Sequence, residues 1–352
     1  MKHLFLLLLL LCTGTIWAQN IAGHVYSAAD GRPLEGASVY LDGTTLSTTT
    51  DADGYFKVTP TQQYLAGLVV SFIGFQTQRI ADPYKDGQPL KINLVPEILN
   101  LKEVVVSKNK PLFSRQQMLK AFKEQFLGTS DAASSCTILN ENDIYLTYDE
   151  QTFTLNAEAE KPILIRNATL QYDISYDLKS FRVKFRAKSI DKIDALTCNI
   201  SGYTLFRDRS KNGNANRLRQ EAYYGSVPHL MKTLSNNSWD KGGFYMYKLH
   251  SKFRPQDLLQ VTDSAGVKKV KVLPEAKQIQ KVYNRQFKSD EEVTFNVSDR
   301  RNRTSFIIFN QDEFYIDKNG MVFPLEALMF GGYLGSLKTG DMLPADYVYA
   351  GN

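Results

Sequence analysis

Four Asp-Gly pairs, Asp30-Gly31, Asp42-Gly43, Asp53-Gly54 and Asp86-Gly87, punctuate short β-rich runs near the start of the chain. The runs are Ile21 to Tyr26, Ala37 to Leu41, Tyr55 to Val58, Leu68 to Phe72 and Leu90 to Leu94. Glycine reaches positive φ without a Cβ clash, and aspartate bonds its own backbone, so each pair predicts a tight reversal. Short strands at this spacing predict an antiparallel β-sandwich.

The residues within these runs are specific. Gly23-His24-Val25-Tyr26, then Gly31 to Val39, Thr50 to Phe56 and Val70 to Phe75 closely resemble the carboxypeptidase regulatory-like domain in order and spacing. That resemblance implies a seven-stranded, prealbumin-like sandwich that serves as an accessory module and carries no catalytic residues. Asp51-Ala52-Asp53-Gly54 opens like a calcium loop. However, Gly follows directly after the second acid and no glutamate closes the loop, so a turn satisfied by aspartate side chains is the reading.

Residues 1–18 read as a secretory signal peptide: a basic start at Met1-Lys2-His3, an apolar run from Leu4 to Cys12, and a small residue at Ala18. The run is too short to cross a hydrocarbon core of about 30 Å as a helix. Cys12 invites lipidation, but Leu11 stands where that processing needs a small residue. No later stretch is long and apolar enough to span a membrane, so the mature chain is expected in the periplasm, at the outer membrane peripherally, or on the cell surface. Cys136 and Cys198 are its cysteines. Export permits them to pair, and two buried free thiols are the equal alternative.

The formal charge of +5 is unevenly spread, with nine acids against six bases from Asn20 to Ser107 and a basic remainder. A basic face suits an anionic surface, although solvated lysines are its ordinary explanation. A mature chain of this length is expected to hold more than one core. We divide it into the sandwich (19–107), a helical connector (108–134) and a larger antiparallel β-rich domain with one or two helices (135–352), mainly β throughout. Leu101 to Ser107 resembles the segment that joins this sandwich to a plug in the outer-membrane TonB-dependent receptors of Bacteroidota. A barrel of about 22 strands at about 10 residues each does not fit in the chain beyond Ser107.

Leu112 to Leu127 predicts an amphipathic helix, opened by a Ser114/Gln117 capping box and ended by Gly128. Strands are predicted at 143–148, 153–157, 162–165, 172–178 and 181–185, a capped helix from Val227 to Leu234, and a hairpin at 314–323 turning on Asn319-Gly320. Cys136, Asn167 to Leu170, Ala222 to His229 and Gly332 to Tyr347 resemble Bacteroidota envelope proteins that begin with the same sandwich. This resemblance implies a location and no activity.

Residues for catalysis are sparse. The mature chain has His24, His229 and His250, none within four residues of another, and no zinc pattern. Gly-x-Ser-x-Gly and phosphate-cradling glycine loops are absent. Ser226 beside His229 reads as a helix cap, and Asp143, Asp149 and Glu150 as acids on a wet face. Tyr223, Tyr224, Trp239, Tyr245 and Tyr247 lie near one another along the chain and could stack on sugar rings or meet a partner; packing is the competing explanation. Asp263-Ser264-Ala265 matches a short O-glycosylation sequon at Ser264. The expectation is an exported, noncatalytic envelope protein without cofactor that binds a partner protein or glycan and no nucleic acid. A secreted hydrolase and an outer-membrane transport or assembly accessory are the alternatives.

Overall fold

The computed structural model describes residues 20–85, 89–97, 111–264, 266–287 and 292–349. Residues 1–18, expected as a signal peptide, Asp86-Gly87, the receptor-like linker and Ala265 lie outside the described residues. The chain is mainly β and divides into two compact units. The first is the N-terminal sandwich, except that Tyr40–Thr45 and Tyr64–Gly67 group with the second unit, which holds the chain beyond the linker.

Among the described residues the sandwich has seven strands, β1 (Ile21–Ser27), β2 (Ser38–Leu41), β3 (Ser47–Thr49), β4 (Tyr55–Val58), β5 (Leu68–Ser71), β6 (Gln78–Ile80) and β7 (Leu90–Leu94). They form two sheets, β4-β1-β7 and β3-β2-β5-β6. Alternation sets the buried face of the first sheet: Ile21 and Val25 are fully buried while Ala22, His24 and Tyr26 on the same strand are half-buried. One pairing departs from the antiparallel expectation, because β1 runs parallel to β7. These are the first and last strands of the domain, so no tight turn joins them and none imposes an antiparallel sense. The Asp51–Gly54 turn is closed by Asp51 Oδ1, which accepts from Asp53 N at 3.0 Å and Tyr55 N at 2.8 Å. Gly54 sits at φ +73°, and a Cβ there would lie 2.5 Å from Val25 O.

The second unit opens with α1 (Arg115–Phe126). Ser114 Oγ accepts from Gln117 N at 3.3 Å, while Gln117 Oε1 accepts from Ser114 N at 2.8 Å, completing the capping box. The helix expected as a connector is part of a core: Phe122 and Phe126 are fully buried, and their rings lie 4.7 and 6.5 Å from Phe181. Its partner sheet, ordered β8-β11-β12-β10-β9, comprises β8 (Cys136–Ile138), β9 (Ile144–Asp149), β10 (Thr154–Ala159), β11 (Ile163–Asn167) and β12 (Tyr172–Phe185), and β13 (Ala195–Asp208) pairs with β12.

The two strands expected at 172–178 and 181–185 are this single strand β12. Its register against β13 shifts between Leu178 and Ser180. Tyr172, Ile174, Tyr176 and Leu178 are buried before the shift, and Phe181, Val183 and Phe185 after it. A bulge adds one residue and moves the buried set from even to odd positions, so an unbroken strand reads as two.

A second core lies under two antiparallel sheets. One contains β14 (Phe244–Lys248), β15 (Ser251–Phe253), β18 (Val293–Asp299), β19 (Thr304–Phe309) and β22 (Leu328–Gly332); the other contains β16 (Leu259–Ser264), β17 (Val267–Val272), β20 (Glu313–Ile316) and β21 (Val322–Phe323). The helices are α2 (Asp131–Ser134), α3 (Asn216–Tyr223), α4 (Val227–Ser235), α5 (Trp239–Gly242), α6 (Pro274–Phe287) and α7 (Tyr333–Ser336). The long α6 has no strong sequence signal because only Ala276 and Gln280 along it are buried. No helix among the described residues is long and apolar enough to cross a membrane.

Candidate functional site

A cavity of about 430 Å³ in the second unit takes its walls from both cores. Phe126 and Tyr176 belong to the first core and Leu334 to the second. Cys198 and Ile200, two residues apart on β13, line the cavity from one face of the strand. Ala222 and Val227 flank the turn between α3 and α4. Small-molecule sites span about 300–1,000 Å³ and are mostly apolar with a few polar groups, which is the character of this lining.

Local chemistry holds each wall. Ser226 caps α4, its Oγ accepting from His229 N at 3.3 Å. The hairpin after β20 is closed by Asp317, whose Oδ1 accepts from Asn319 N at 2.8 Å and Met321 N at 2.9 Å. Burial pushes the Asp317 carboxyl up, and those N–H groups oppose the shift. Gly320 stands at φ +83°, and a Cβ there would meet Pro228 O at 2.3 Å, so only glycine lets this turn approach α4 so closely.

The chain after α7 forms the remaining wall. Gly340 N donates to Leu127 O at 2.9 Å, Asn167 Nδ2 donates to Gly340 O at 2.8 Å, and Ser130 Oγ donates to Asp341 Oδ1 at 2.5 Å. Asp341 Oδ2 also accepts from Lys338 N at 3.0 Å. The strap is thereby anchored to the first core, and both Asp341 oxygens are committed to it. Burial pushes the Cys198 thiol up, while the Lys338 ammonium pulls the other way.

The residues singled out in the sequence do not form one site. Tyr223 is buried, with its ring stacked 4.8 Å from Tyr349 and 5.1 Å from His229, and it also borders the cavity. Tyr224 is exposed and edge-on to His229 at 5.1 Å. Trp239 is buried in the second core, and Tyr245 is exposed on β14, two positions before half-buried Tyr247. Trp239 and Tyr245 share a cleft from which the other three are absent. A single five-ring platform is therefore not formed.

Cys136 and Cys198 are both free thiols. Strands β11 and β12 stand between the strands that carry them, and each Sγ faces a backbone carbonyl, Ala132 O at 3.5 Å and Gln125 O at 3.9 Å. Burial pushes the Cys136 thiol up to about 12. Ser264 ends β16 beside Asp263, which pairs with Lys268 at 2.6 Å.

The groups weighed for catalysis have structural partners. His229 Nδ1 accepts from Gly225 N at 3.1 Å, and burial lowers its pKa to about 4, so the ring is neutral and its acceptor nitrogen is occupied. Asp143 Oδ2 accepts from Asn140 Nδ2 at 3.1 Å, Asp149 closes a turn by accepting from Gln151 N at 2.8 Å, and Glu150 pairs with Lys188 at 3.0 Å. No three His, Cys, Asp or Glu side chains among the described residues gather as a metal site. Sequence reasoning missed the cavity because its walls come from positions as far apart as Gly43 and Tyr347. The one local signal was the turn chemistry at Ser226 and Asn319-Gly320.

A search of curated proteins finds no match to the chain. The family model described as CarboxypepD_reg-like domain matches residues 21–106, the span of the sandwich. The N-terminal sandwich of this protein is thus a CarboxypepD_reg-like domain.

Proposed function

We propose that this chain is an exported, noncatalytic binding protein of the cell envelope, and that its second unit holds the apolar part of an envelope ligand, an acyl chain, in the cavity beside Cys198 and Ile200. The observation that carries this reading is the cavity itself: about 430 Å³, walled by aromatic and aliphatic side chains from two cores, with few polar groups. Ser226, His229 and the acids weighed for catalysis already hold caps, turns and ion pairs. The CarboxypepD_reg-like domain acts as an accessory module, and the basic remainder of the chain suits an anionic surface.

Native mass spectrometry of the chain purified from the envelope of its own host tests the proposal. An acyl-bearing adduct is expected on the wild type and lost in Ala222→Phe, which places a ring in the cavity. A wild-type chain that carries no such adduct, or a variant that carries as much, contradicts it.

A further inference from the structure

A second concavity lies where the end of α4 meets β14 and β15, a cleft of about 580 Å³ with Tyr245 in its wall. It continues into a neighbouring cleft of about 460 Å³, and both are bordered by Asn236, Asn237 and Gln256. The result is an elongated groove, longer than one small polar molecule needs. Its residues differ in kind from those of the apolar cavity. The three amides are exposed, and each offers a donor and an acceptor side by side. Tyr245 is 47% exposed. Lys241 and Lys252 are exposed, and neither forms a salt bridge among the described residues, whereas the Arg254 guanidinium is held by Asp257 at 2.9 and 3.1 Å.

Local structure explains why these groups converge. Asn237 at φ +50° turns the chain out of α4, a conformation asparagine adopts more readily than other side chains, and this leaves two amides at the groove where the clefts join. Arg300 donates to Asp240 O at 2.9 Å and Lys241 O at 3.1 Å, fixing the short helix that carries Lys241. Tyr247 pairs with Lys252 across β14 and β15, and the Lys252 ammonium lies 5.2 Å from the centre of the Tyr245 ring.

We propose that this groove binds an acidic oligosaccharide: one sugar face packs on Tyr245, hydroxyls exchange hydrogen bonds with the Asn236, Asn237 and Gln256 amides, and carboxylates pair with Lys241 and Lys252. Sugars present apolar C–H faces to aromatic rings and hydroxyls that both donate and accept, and aromatic-plus-amide lining answers both. The two ammonium groups with one aspartate, Asp240, in the lining select for negative charge.

Calorimetric titration of the purified mature chain with oligogalacturonate, oligoalginate, a sialylated oligosaccharide and neutral cellotetraose tests this. At least one acidic ligand is expected to bind more tightly than cellotetraose, with affinity falling as salt is raised. Lys241→Ala with Lys252→Ala is expected to weaken it about tenfold or more, and Tyr245→Ala about fivefold. Both changes are at exposed positions, and unchanged circular dichroism confirms the fold. No binding to any of the acidic ligands, equal binding of cellotetraose, or full affinity in the double variant overturns the proposal. Displacement by a polyglutamate peptide with equal affinity overturns it in favour of an acidic polypeptide ligand. The Ala222→Phe chain is expected to bind the saccharide normally, since Ala222 does not line the groove.

Discussion

The sandwich and the second unit solve the packing problem differently. In the sandwich, Asp-Gly pairs turn the chain between β1 and β2, β2 and β3, and β3 and β4, and Asp51 bonds within its own turn. In the second unit, two cores are built from successive stretches of chain, and Leu337 to Tyr347 returns from the second to close against the first. The sandwich is built from two small sheets, β4-β1-β7 and β3-β2-β5-β6. A unit in which two cores meet across a strap leaves a seam, and an apolar seam of this volume is a place to hold something.

The contrast can be broken experimentally, most severely at the first core. Phe122→Ala is expected to destabilise the second unit by about 3–5 kcal/mol, because the ring is fully buried and stacked 4.9 Å from Phe126. Trp239, buried in the second core, is the one tryptophan beyond residue 18 and reports that core by fluorescence in a chain produced without residues 1–18. Its denaturant midpoint should fall with the variant, while hydrogen-exchange protection in β1 should hold. A Trp239 midpoint that does not move would mean that the two cores unfold separately.

The sandwich offers the matching change. Gly54→Ala puts a Cβ 2.5 Å from Val25 O at φ +73°, and the expected loss is about 1–3 kcal/mol. It should appear as faster exchange in β1 and β4 and leave the Trp239 transition in place. A smaller loss, about 1 kcal/mol, is expected from Ser226→Ala through the α4 cap. The Trp239 transition measures it.

The mildest test uses pH. Burial holds His229 at about 4 against an ordinary 6.5, so the unfolded chain binds its proton more readily. The stability due to the neutral ring is complete above pH 6.5 and drains away as pH falls toward 4. His229→Leu is expected to flatten the slope of second-unit stability over that window, and an unchanged slope would remove His229 as its source.

How much of the molecule was legible depended on distance along the chain. The sandwich was readable from turns that announce themselves in two adjacent residues, at Asp30-Gly31, Asp42-Gly43 and Asp53-Gly54, whereas the pairings of strands distant in sequence, β1 with β4, β2 with β5 and the parallel β1–β7 pair, have no local code. The Ser114/Gln117 box and the Ser226 cap were equally local. The β12 bulge hid a 14-residue strand by shifting its alternation, and α6 hid behind a polar surface with two buried residues. Trp239 left two readings open in the sequence, a sugar platform and core packing, and it is a core side chain that also lines a cleft. The cavity had no local signature at all, because a strap from the end of the chain completes it.

The most direct measurement is a titration of the purified chain, produced without residues 1–18, with a fluorescent fatty-acid probe, run in parallel on the wild type and Ala222→Phe. The account predicts saturable binding at a single site, slower alkylation of Cys198 as the site fills, and affinity about tenfold or more weaker in the variant. Absence of saturable binding, or equal binding by the two proteins with Cys198 alkylated at an unchanged rate, would contradict it.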